Sequence, residues 1–354
     1  MQKKFEGVFM LVEIGIAQAD EWDKVVKSFN KHEPFYLHAY AKAFEKHGSG
    51  VPVLLHYQSG DYQAMNVVVR RDVADDKHFQ GRLPENTYFD LSTPYGYGGF
   101  MSDENVRPEV FEAYNQFCIE RNYICEFVRF NLFSNCQDVY DGDVETKMVN
   151  VVCDLTKDEE QIFNEFNSTA RRCVRKVHKV GLELEVSNTL DGLESFLEIY
   201  YDTMDRNQAQ DAYYFKRDFF ETLHKISGHV HYFFAKLEGK VIGANLLLAG
   251  DEHAYCFLSG THRDYLSYSP NYLMMSEMIY WSKRNGMKKF VLGGGYGADD
   301  NLLRFKRGFA SEGLVDFYIG HKVFNPEKYE ELVAMRANDS EFDVESAYFP
   351  KYRA

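Results

Sequence analysis

The same order of predicted secondary-structure elements occurs in both halves of the chain, and this repetition limits the possible folds more than any other feature. In the second half, the turn Glu238-Gly239 joins two predicted strands into a β-hairpin. Ser269 is predicted to cap the helix that follows, with Pro270 at its first position and Gly286 after its end. The predicted order is hairpin, strand, helix, strand, at Val230–Leu237, Lys240–Ala249, His253–Ser259, Pro270–Asn285 and Lys288–Leu292.

The first half repeats this order with looser patterns. Its elements are predicted at Val51–Tyr57, Tyr62–Val69, Tyr88–Leu91, Arg107–Arg121 and Tyr123–Phe130. Each half also opens with a strand followed by helices. In the first half these are predicted at Val8–Ile16 (strand), Asp20–Phe29 and Tyr36–Lys46. In the second half they are predicted at Val149–Leu155 (strand), Asp158–Lys179 and Leu190–Asp205. A mixed α/β unit of about 150 residues, present twice, fits a chain of 354 residues as two similar domains.

These repeats predict two domains and a tail. Each domain is expected to be a mixed, mostly antiparallel sheet flanked by helices, with the chemistry in the second. In the tail, a helix begins at Pro326, and the aromatic residues near its end are expected to pack back onto a domain. The predicted ranges are 1–147, 148–325 and 326–354.

The charge and the cysteines exclude several classes of function. A net charge of -14 disfavours DNA binding and broad binding of other nucleic acids, although a local basic patch could still hold one RNA end. The six cysteines form no C-x-x-C pair, and no histidines have H-x-x-x-H spacing, so no metal site is predicted. No G-x-S-x-G sequence marks a serine nucleophile. Without a signal-like segment or an apolar run of roughly 20 residues, the expected location is the cytoplasm, with no membrane span.

The strongest candidate site is a run of glycines directly after the last strand of the second repeat. Gly293, Gly294 and Gly295, followed by Tyr296, would let a ligand approach the backbone N–H groups, although a flexible turn remains the alternative. The spacing fits neither a dinucleotide-binding fingerprint nor a phosphate-binding P-loop. The segment Leu302–Phe309 follows, and its apolar side chains could hold Lys306 in place beside a developing oxyanion. Arg304 is a candidate substrate-binding residue in the same segment, and a solvated basic turn is the alternative for both.

Two further segments carry candidate substrate-binding residues. In the first half, Tyr95 and Tyr97 alternate with glycines in the loop Thr93–Phe100, which suggests a backbone-lined wall with aromatic contacts or a structural turn. In the second half, Arg171, Arg172 and Arg175 belong to the strongest basic run of this acidic chain, predicted to lie on a helix. Such a face could bind phosphates, or it could be solvated.

Together these segments resemble the Fem-type (FemABX) aminoacyl and peptidyl transferases of the GNAT-fold acyltransferase superfamily. The resemblance rests on Thr93–Phe100, Ser168–Gly181, Phe233–Leu248, Leu292–Phe309 with Phe305-Lys306, and the ending Phe349–Arg353. It implies two tandem GNAT-like domains and the transfer of an amino acid from aminoacyl-tRNA to an amine of a peptidoglycan precursor, without a metal. It also implies that Lys306 is catalytic and stabilises the charged transition state, and that the basic helix contacts phosphates of the substrate or tRNA.

The sequence departs from this family pattern in two places that bear on the acyl donor. GNAT enzymes that use coenzyme A carry a glycine-rich pyrophosphate loop, but the corresponding stretch Arg263–Tyr268 contains no glycine. The coiled-coil arm with which some Fem-type members grip tRNA is also missing. Acetyl-CoA and aminoacyl-tRNA therefore both remain candidate donors.

The leading functional hypothesis is an acyl- or aminoacyltransferase that modifies an amine of a cell-wall or amino-sugar precursor. The acceptor would be a small molecule or a nucleotide-sugar peptide, and Asp299 or Asp300 is a guess for the group that accepts the amine proton. The alternatives are a coenzyme A-dependent N-acetyltransferase of the GNAT fold and a non-catalytic ligand-binding relative.

Overall fold

The computed structural model describes residues 10–295, 297, 300–337, 339, 342–343 and 345–354. The chain divides into two compact units. The first contains the residues up to 30, then 35–147 and 317–354, and the second contains 31–34 and 148–316. Residues 317–325, assigned to the second domain from the sequence, thus belong to the first unit. Whether the units fold as independent domains stays a prediction.

Strands and helices are interspersed along the described part of the chain. Up to residue 154 they are β1 Met10–Gly15, α1 Ala19–Val26, α2 His38–Lys46, β2 Val51–Ser59, β3 Tyr62–Asp72, β4 Phe89–Ser92, α3 Pro108–Glu120, β5 Tyr123–Arg129, α4 Cys136–Val139 and β6 Asp143–Asp154. Then follow α5 Glu159–Glu165, α6 Ser168–Lys179, β7 Glu183–Ser187, α7 Leu193–Arg206, α8 Arg217–Leu223, β8 Val230–Leu237, β9 Lys240–Ala249 and β10 His253–Thr261. The last are α9 Pro270–Arg284, β11 Lys289–Gly293, α10 Asn301–Arg307, β12 Leu314–Val323 and α11 Pro326–Arg336.

In the first unit the strands lie in the order β1-β2-β3-β4-β5-β12. Only β4 and β5 pair in parallel among the pairings described for this unit, and the other neighbours are antiparallel. The helix α3 buries Val110, Phe111, Tyr114 and Phe117 against this sheet, because these residues recur at helical spacing.

A buried carboxylate anchors the end of the chain to the first unit. Asp90, on β4, is fully buried and accepts hydrogen bonds from Arg71 Nε (2.5 Å), Arg353 Nε (2.6 Å) and the Tyr352 hydroxyl (2.9 Å). Burial acts to raise the pKa of Asp90, but Arg71 and Arg353 outweigh it and lower that pKa below its usual value. We call Asp90, Arg71, Tyr352 and Arg353 the C-terminal anchor.

In the second unit the strands lie in the order β6-β11-β10-β9-β8-β7. Alternate residues of β8 face opposite sides of this sheet. Phe233 belongs to the core beneath α6 and α9, whereas the Tyr232 ring contacts Phe196 of α7, 5.4 Å between centroids. The helices α6 and α9 therefore lie on one face of the sheet, and α7 and α8 lie on the other.

The short segment 31–34 is bound to the turn between β9 and β10. His32 Nδ1 lies 2.9 Å from Asp251 Oδ2, and His253 Nδ1 lies 2.5 Å from Glu33 Oε1. Glu33 is almost completely buried, and burial raises its pKa. These pairs attach a segment from the start of the chain to a unit formed mainly by residues beyond 147.

Most of the predicted elements are confirmed, with differences that have local causes. The predicted helix over Asp158–Lys179 is two helices, because Asp158 and Asn167 each cap a separate N-terminus. Ser269 occupies the predicted N-cap position of α9, but it has a φ of 58° and its side chain makes no capping hydrogen bond. Within the described residues, no helix is both long enough and apolar enough to span a membrane.

Candidate active site

The strands β10 and β11 are parallel neighbours whose pairing stops before either strand ends. His253–Tyr255 pair with Lys289–Val291, and beyond Tyr255 the described partners of β10 all lie on β9. The register of β10 shifts between Cys256 and Leu258 at the same point. Residues 256–259 and 293–295 are partly exposed although the residues before them in each strand are buried. The carboxyl ends of the two strands thus border an opening, which is where α/β sheets commonly bind ligands.

The three glycines at this opening are required by close packing. Gly293 has a φ of 86°, and a Cβ there would lie 3.1 Å from Lys306 Nζ. A Cβ on Gly294 would lie 2.7 Å from Met148 Sδ and 2.8 Å from the Val149 carbonyl oxygen, and one on Gly295 would collide with the Asp300 carboxylate. This part of the loop is closely packed, so the alternative of an unconstrained flexible turn does not apply to it.

Asp300 starts the helix that carries the candidate catalytic lysine. Its Oδ1 accepts a hydrogen bond from Leu303 N (2.7 Å) and caps α10, while its Oδ2 accepts one from Gly297 N (2.8 Å). Both carboxylate oxygens are thus occupied by the local backbone, which fits a structural role better than the guessed role of proton acceptor. Asp299, the other guess, lies outside the described residues, as does Tyr296.

Lys306 lies on α10 and points back to the glycine run. Its Nζ donates a hydrogen bond to the Gly294 carbonyl oxygen at 2.7 Å. The helix is fixed by aromatic contacts on either side of the lysine: Phe305 packs against Tyr272, and Phe309 against Phe166, each at 5.0 Å between ring centroids. The segment is a helix, so the alternative of a solvated basic turn is wrong for Lys306.

Burial lowers the pKa of Lys306, and this effect outweighs the opposing influence of Cys256 and Asp300. The hydrogen-bond partner of the ammonium is a neutral carbonyl, so the charge is not neutralised by a direct ion pair in the described structure. A positive charge that is poorly solvated and fixed in direction is suited to stabilise negative charge that develops on a substrate.

Three polar groups at the opening were not singled out from the sequence. The Cys256 thiol lies 3.3 Å from the Ser259 hydroxyl, and burial raises the pKa of this thiol, so it is kept neutral rather than nucleophilic. Asn150 on β6 is 3% exposed, and its Oδ1 lies 3.8 Å from the point where a Cβ of Gly293 would be. Asn150 is the one polar residue in the apolar stretch Val149–Cys153, and this position could have identified it as a candidate site residue from the sequence.

The predicted basic face of α6 is divided in the structure. Arg171 donates to the carbonyl oxygens of Asn164 (2.9 Å) and Phe166, and so braces the turn between α5 and α6. Arg175 stacks over the Phe163 ring at 5.2 Å, and Arg172 is exposed. Arg304 is also exposed, on α10. Substrate binding by these arginines stays a prediction, and the contacts of Arg171 make it the weakest candidate.

The tyrosine loop of the first half belongs to the first unit. The Tyr97 ring packs edge-on against Phe35 and Phe317, at 5.4 and 5.5 Å, whereas Tyr95 is 39% exposed and its carbonyl oxygen accepts the Tyr40 hydroxyl. Tyr97 is thus largely committed to packing, and Tyr95 has the more accessible ring. Their predicted role in substrate binding is not tested by these contacts.

The segment Arg263–Tyr268, before α9, forms a 3₁₀ helix. Several of its backbone N–H groups already have acceptors: Arg263 N donates to Asp202 Oδ2 of α7 (3.1 Å), and Tyr265 N donates to His262 O (3.0 Å). Ser269 N, directly after the segment, donates to Leu266 O (3.0 Å). Pro270 then begins α9 without an N–H group. This segment lacks the row of free N–H groups with which a helix start holds a pyrophosphate.

Part of the chain matches a known protein family, and the whole chain is similar in structure to solved proteins. Residues 164–307 match a protein-family model described as an acetyltransferase (GNAT) domain. FemX has a similar structure, with a TM-score of 0.66 and 14% identity, covering 92% of this chain and 100% of that chain. A conserved protein of unknown function from Bacteroides thetaiotaomicron VPI-5482 has a TM-score of 0.55 and 10% identity, covering 89% and 100%. L-PGS from Bacillus licheniformis has a TM-score of 0.53 and 10% identity, covering 90% of this chain and 96% of that chain.

No curated protein sequence matches the chain. The matched GNAT domain contains the opening between β10 and β11 together with Gly293–Gly295 and Lys306. The similarity to FemX extends over nearly the whole chain and therefore covers both units. The expected fold class, two tandem GNAT-like units with mixed sheets, is confirmed. Residues 164–307 thus match a GNAT acetyltransferase domain, and the fold of the chain as a whole is similar to that of FemX.

Proposed function

We propose that this protein transfers an activated acyl or aminoacyl group to an amine of a peptidoglycan-type cell-wall precursor or an amino sugar. The amine nitrogen attacks the acyl carbonyl carbon, the C–N bond forms, and the bond from that carbon to the leaving oxygen or sulfur breaks. The proton that the amine loses ends on the leaving group. The tetrahedral intermediate carries an oxyanion, which Lys306 would stabilise. The observation that carries the proposal is the ammonium of Lys306, poorly solvated and held 2.7 Å from the Gly294 carbonyl oxygen.

The segment before α9 supports an aminoacyl ester over coenzyme A as the donor for this site. The N–H groups of Arg263 and Tyr265 already donate to protein acceptors, and Ser269 and Pro270 supply neither a side-chain cap nor a free N–H group for a pyrophosphate. We infer that charged tRNA, or a molecule with a similar activated ester, is the better candidate. A cytoplasmic location, where charged tRNA and nucleotide-sugar peptides are made, belongs to this proposal.

The catalytic part of the proposal is tested by substitution of Lys306. The Lys306→Ala variant is expected to lower the transfer rate about a hundredfold or more, because one fixed charge that stabilises an oxyanion contributes on that order. Lys306→Arg should retain part of the activity, since it keeps the charge but changes its position. Arg307→Ala, a neighbouring exposed cation, is the matched control and should remain active. Full activity of Lys306→Ala would overturn the proposal.

The donor and acceptor are tested by thermal shift with acetyl-CoA, a UDP-muramyl peptide and charged tRNA. A ligand that binds the native state raises the melting temperature. Stabilisation by the UDP-muramyl peptide or charged tRNA, without stabilisation by acetyl-CoA, is expected. A shift with acetyl-CoA alone, followed by acetyl transfer, would replace the aminoacyl reading with a coenzyme A-dependent enzyme. Binding of the acceptor without turnover of any donor would indicate a non-catalytic relative.

A further inference from the structure

We propose that Asn150 is a positioning residue of the acyl-transfer site, whose neutral amide stabilises the ammonium of Lys306 without neutralising its charge. This inference rests on the proposed function, because it concerns the lysine that would stabilise the oxyanion. It adds a residue from β6, a strand that contributes none of the site residues expected from the sequence.

Asn150 lies next to the glycine run because of the way in which β6 pairs with β11. The two strands are antiparallel, and after a register shift beyond Val291 the partner of Gly293 is Val151. Asn150 Oδ1 lies 3.8 Å from the point where a Cβ on Gly293 would be, and Lys306 Nζ lies 3.1 Å from the same point. The amide and the ammonium thus lie against the same glycine, each within 4 Å of one point.

The polarity of Asn150 is not explained by the core around it. Asn150 is 3% exposed, and the residues that follow it, Val151 and Val152, are also buried and apolar. Burying an amide costs free energy that a leucine of nearly the same size does not cost. This cost is offset if the amide acts on a buried charge, and Lys306 carries the charge beside it.

The neutrality of this amide matters as much as its polarity. In the described part of the chain, the titratable groups that act on Lys306 are the Cys256 thiol of β10 and the Asp300 carboxylate at the start of α10. The thiol is kept neutral, and both oxygens of Asp300 accept backbone N–H groups. The segments Met148–Val152 and Gly293–Gly295 contain no titratable group. An amide at position 150 therefore supplies a dipole to the ammonium, whereas a carboxylate would pair with it and cancel the field on a developing oxyanion.

The first test is the pKa of Lys306 in the protein without ligand. It is measured by NMR of lysine labelled at Cε, with the signal assigned by its absence from Lys306→Ala. Asn150→Asp should raise this pKa by about one unit or more, because a nearby opposite charge favours the charged form. Asn150→Leu should lower the pKa, because the dipole is lost. Asn150→Asp has almost the shape of the original residue, so it carries the test if the leucine variant does not fold.

The second test is the pH dependence of transfer from charged tRNA to a UDP-muramyl peptide. If the protonated lysine is required, kcat falls as the pH rises through the pKa of Lys306. Asn150→Leu should move this fall to lower pH, and Asn150→Asp should lower kcat about tenfold or more, because a paired ammonium stabilises an oxyanion less well. The KM for the acceptor should change by less than about twofold, since Asn150 acts through Lys306 and not on the substrate.

The matched controls are Asn66→Asp and Asn66→Leu, on β3. Asn66 is 2% exposed and belongs to the first unit, so these variants make the same changes to a buried amide in the other unit. The pKa of Lys306 and the position of the alkaline fall in kcat should stay as in the unmodified protein. Thermal unfolding of every variant records the loss of stability that replacing a buried amide causes by itself.

Three outcomes would overturn the proposal. The first is a Lys306 pKa that is the same in both Asn150 variants as in the unmodified protein. The second is a loss of activity in Asn150→Leu that equals the loss in Asn66→Leu, without movement of the alkaline fall, which would show a purely structural role. The third is a raised KM with unchanged kcat, which would show that Asn150 binds the acceptor.

The pKa measurement requires no substrate, so its result does not depend on whether Lys306→Ala loses acyl transfer. Full activity of Lys306→Ala would contradict the proposed function even if Asn150 does set the pKa of the lysine. Loss of activity in Lys306→Ala, with no change of pKa in the Asn150 variants, would contradict only the role of Asn150. The two proposals can therefore fail separately.

Discussion

The side chain of Lys306 is held where its positive charge is poorly solvated. Burial lowers its pKa, because water would solvate the ammonium better in the unfolded chain. Such a group destabilises the fold below its folded-state pKa, and the penalty disappears as the pH rises to the unfolded value. The conflict between stability and charge is typical of residues that are kept for their chemistry.

The Lys306→Met variant is therefore expected to be more stable than the unmodified protein at pH 7, by about 1 kcal/mol, while losing transfer activity. The stability gain should shrink as the pH rises towards and above 10.5, because the lysine then becomes neutral in both states. Denaturant unfolding at several pH values measures this gain. A variant that is less stable at pH 7 would show that the contacts of the lysine outweigh the burial of its charge.

Glu126 presents a second buried charge, in the first unit. It is 2% exposed and accepts hydrogen bonds from the hydroxyls of Tyr114 (2.7 Å) and Tyr140 (3.0 Å). Burial raises its pKa to about 7, despite these hydrogen bonds. An acid with a raised folded-state pKa loses stabilisation as the pH rises from its unfolded value, 4.5, through 7.

Replacing Glu126 with glutamine removes this pH dependence. The stability difference between Glu126→Gln and the unmodified protein should shift in favour of the variant by about 2 kcal/mol from pH 5 to pH 8, because one pKa unit corresponds to about 1.4 kcal/mol. Urea unfolding at both pH values provides the comparison. A stability difference that is the same at pH 5 and pH 8 would contradict a raised pKa.

At the scale of elements, the opening depends on the close approach of β6, β11 and the start of α10. Gly294→Ala would place a Cβ 2.8 Å from the Val149 carbonyl oxygen, and backbone atoms cannot yield as a flexible side chain can. We expect a loss of about 2 kcal/mol in stability and a fall in transfer activity of about tenfold or more, since shifting the loop moves the Gly294 carbonyl away from Lys306.

The matched control for Gly294→Ala is Gly297→Ala. A Cβ on Gly297 would meet no atom within 4 Å, and the alanine keeps the N–H that donates to Asp300. This variant should retain nearly full stability and activity. Equal losses in the two variants would indicate that the loop requires general flexibility, not the close packing seen at Gly294.

Elements whose signals are local were predictable from the sequence, and elements that depend on distant partners were not. The hairpin β8–β9 and the helix α9 follow from a tight turn and from proline and glycine at the helix ends. The strand β12 was missed, since its identity depends on pairing with β5, almost two hundred residues earlier in the chain. Lys306 was predicted from its neighbours, whereas Asn150 reaches the opening only through the pairing of β6 with β11.

At the scale of the whole molecule, the C-terminal anchor links the last residues to the first unit. Asp90→Asn leaves Arg71 and Arg353 without their buried carboxylate, and breaking a buried pair of this kind costs about 3–5 kcal/mol. Thermal unfolding should show a large decrease in stability. Because the pKa of Asp90 is lowered, its stabilisation is present above pH 3.8 and is lost as the pH falls through the folded-state pKa.

The control for this prediction is Asp76→Asn. Asp76 pairs with Arg353 Nη1 at 3.0 Å, but its side chain is 16% exposed, compared with 0% for Asp90. A smaller decrease is expected, because Arg353 keeps its buried partner Asp90. Equal decreases would show that the pairing of Arg353, and not the burial of Asp90, determines the stability of the anchor.

The path of the chain through its two units also sets an order of events during synthesis. The second unit is formed almost entirely by residues 148–316, whereas the first requires β12 and the C-terminal anchor, which come after all of them. On the ribosome, the half that emerges first must wait with the edge of β5 unpaired until the last forty residues or so have appeared. The earliest-made unit is therefore the last to be completed, and nascent chains released before residue 317 would expose that edge to aggregation.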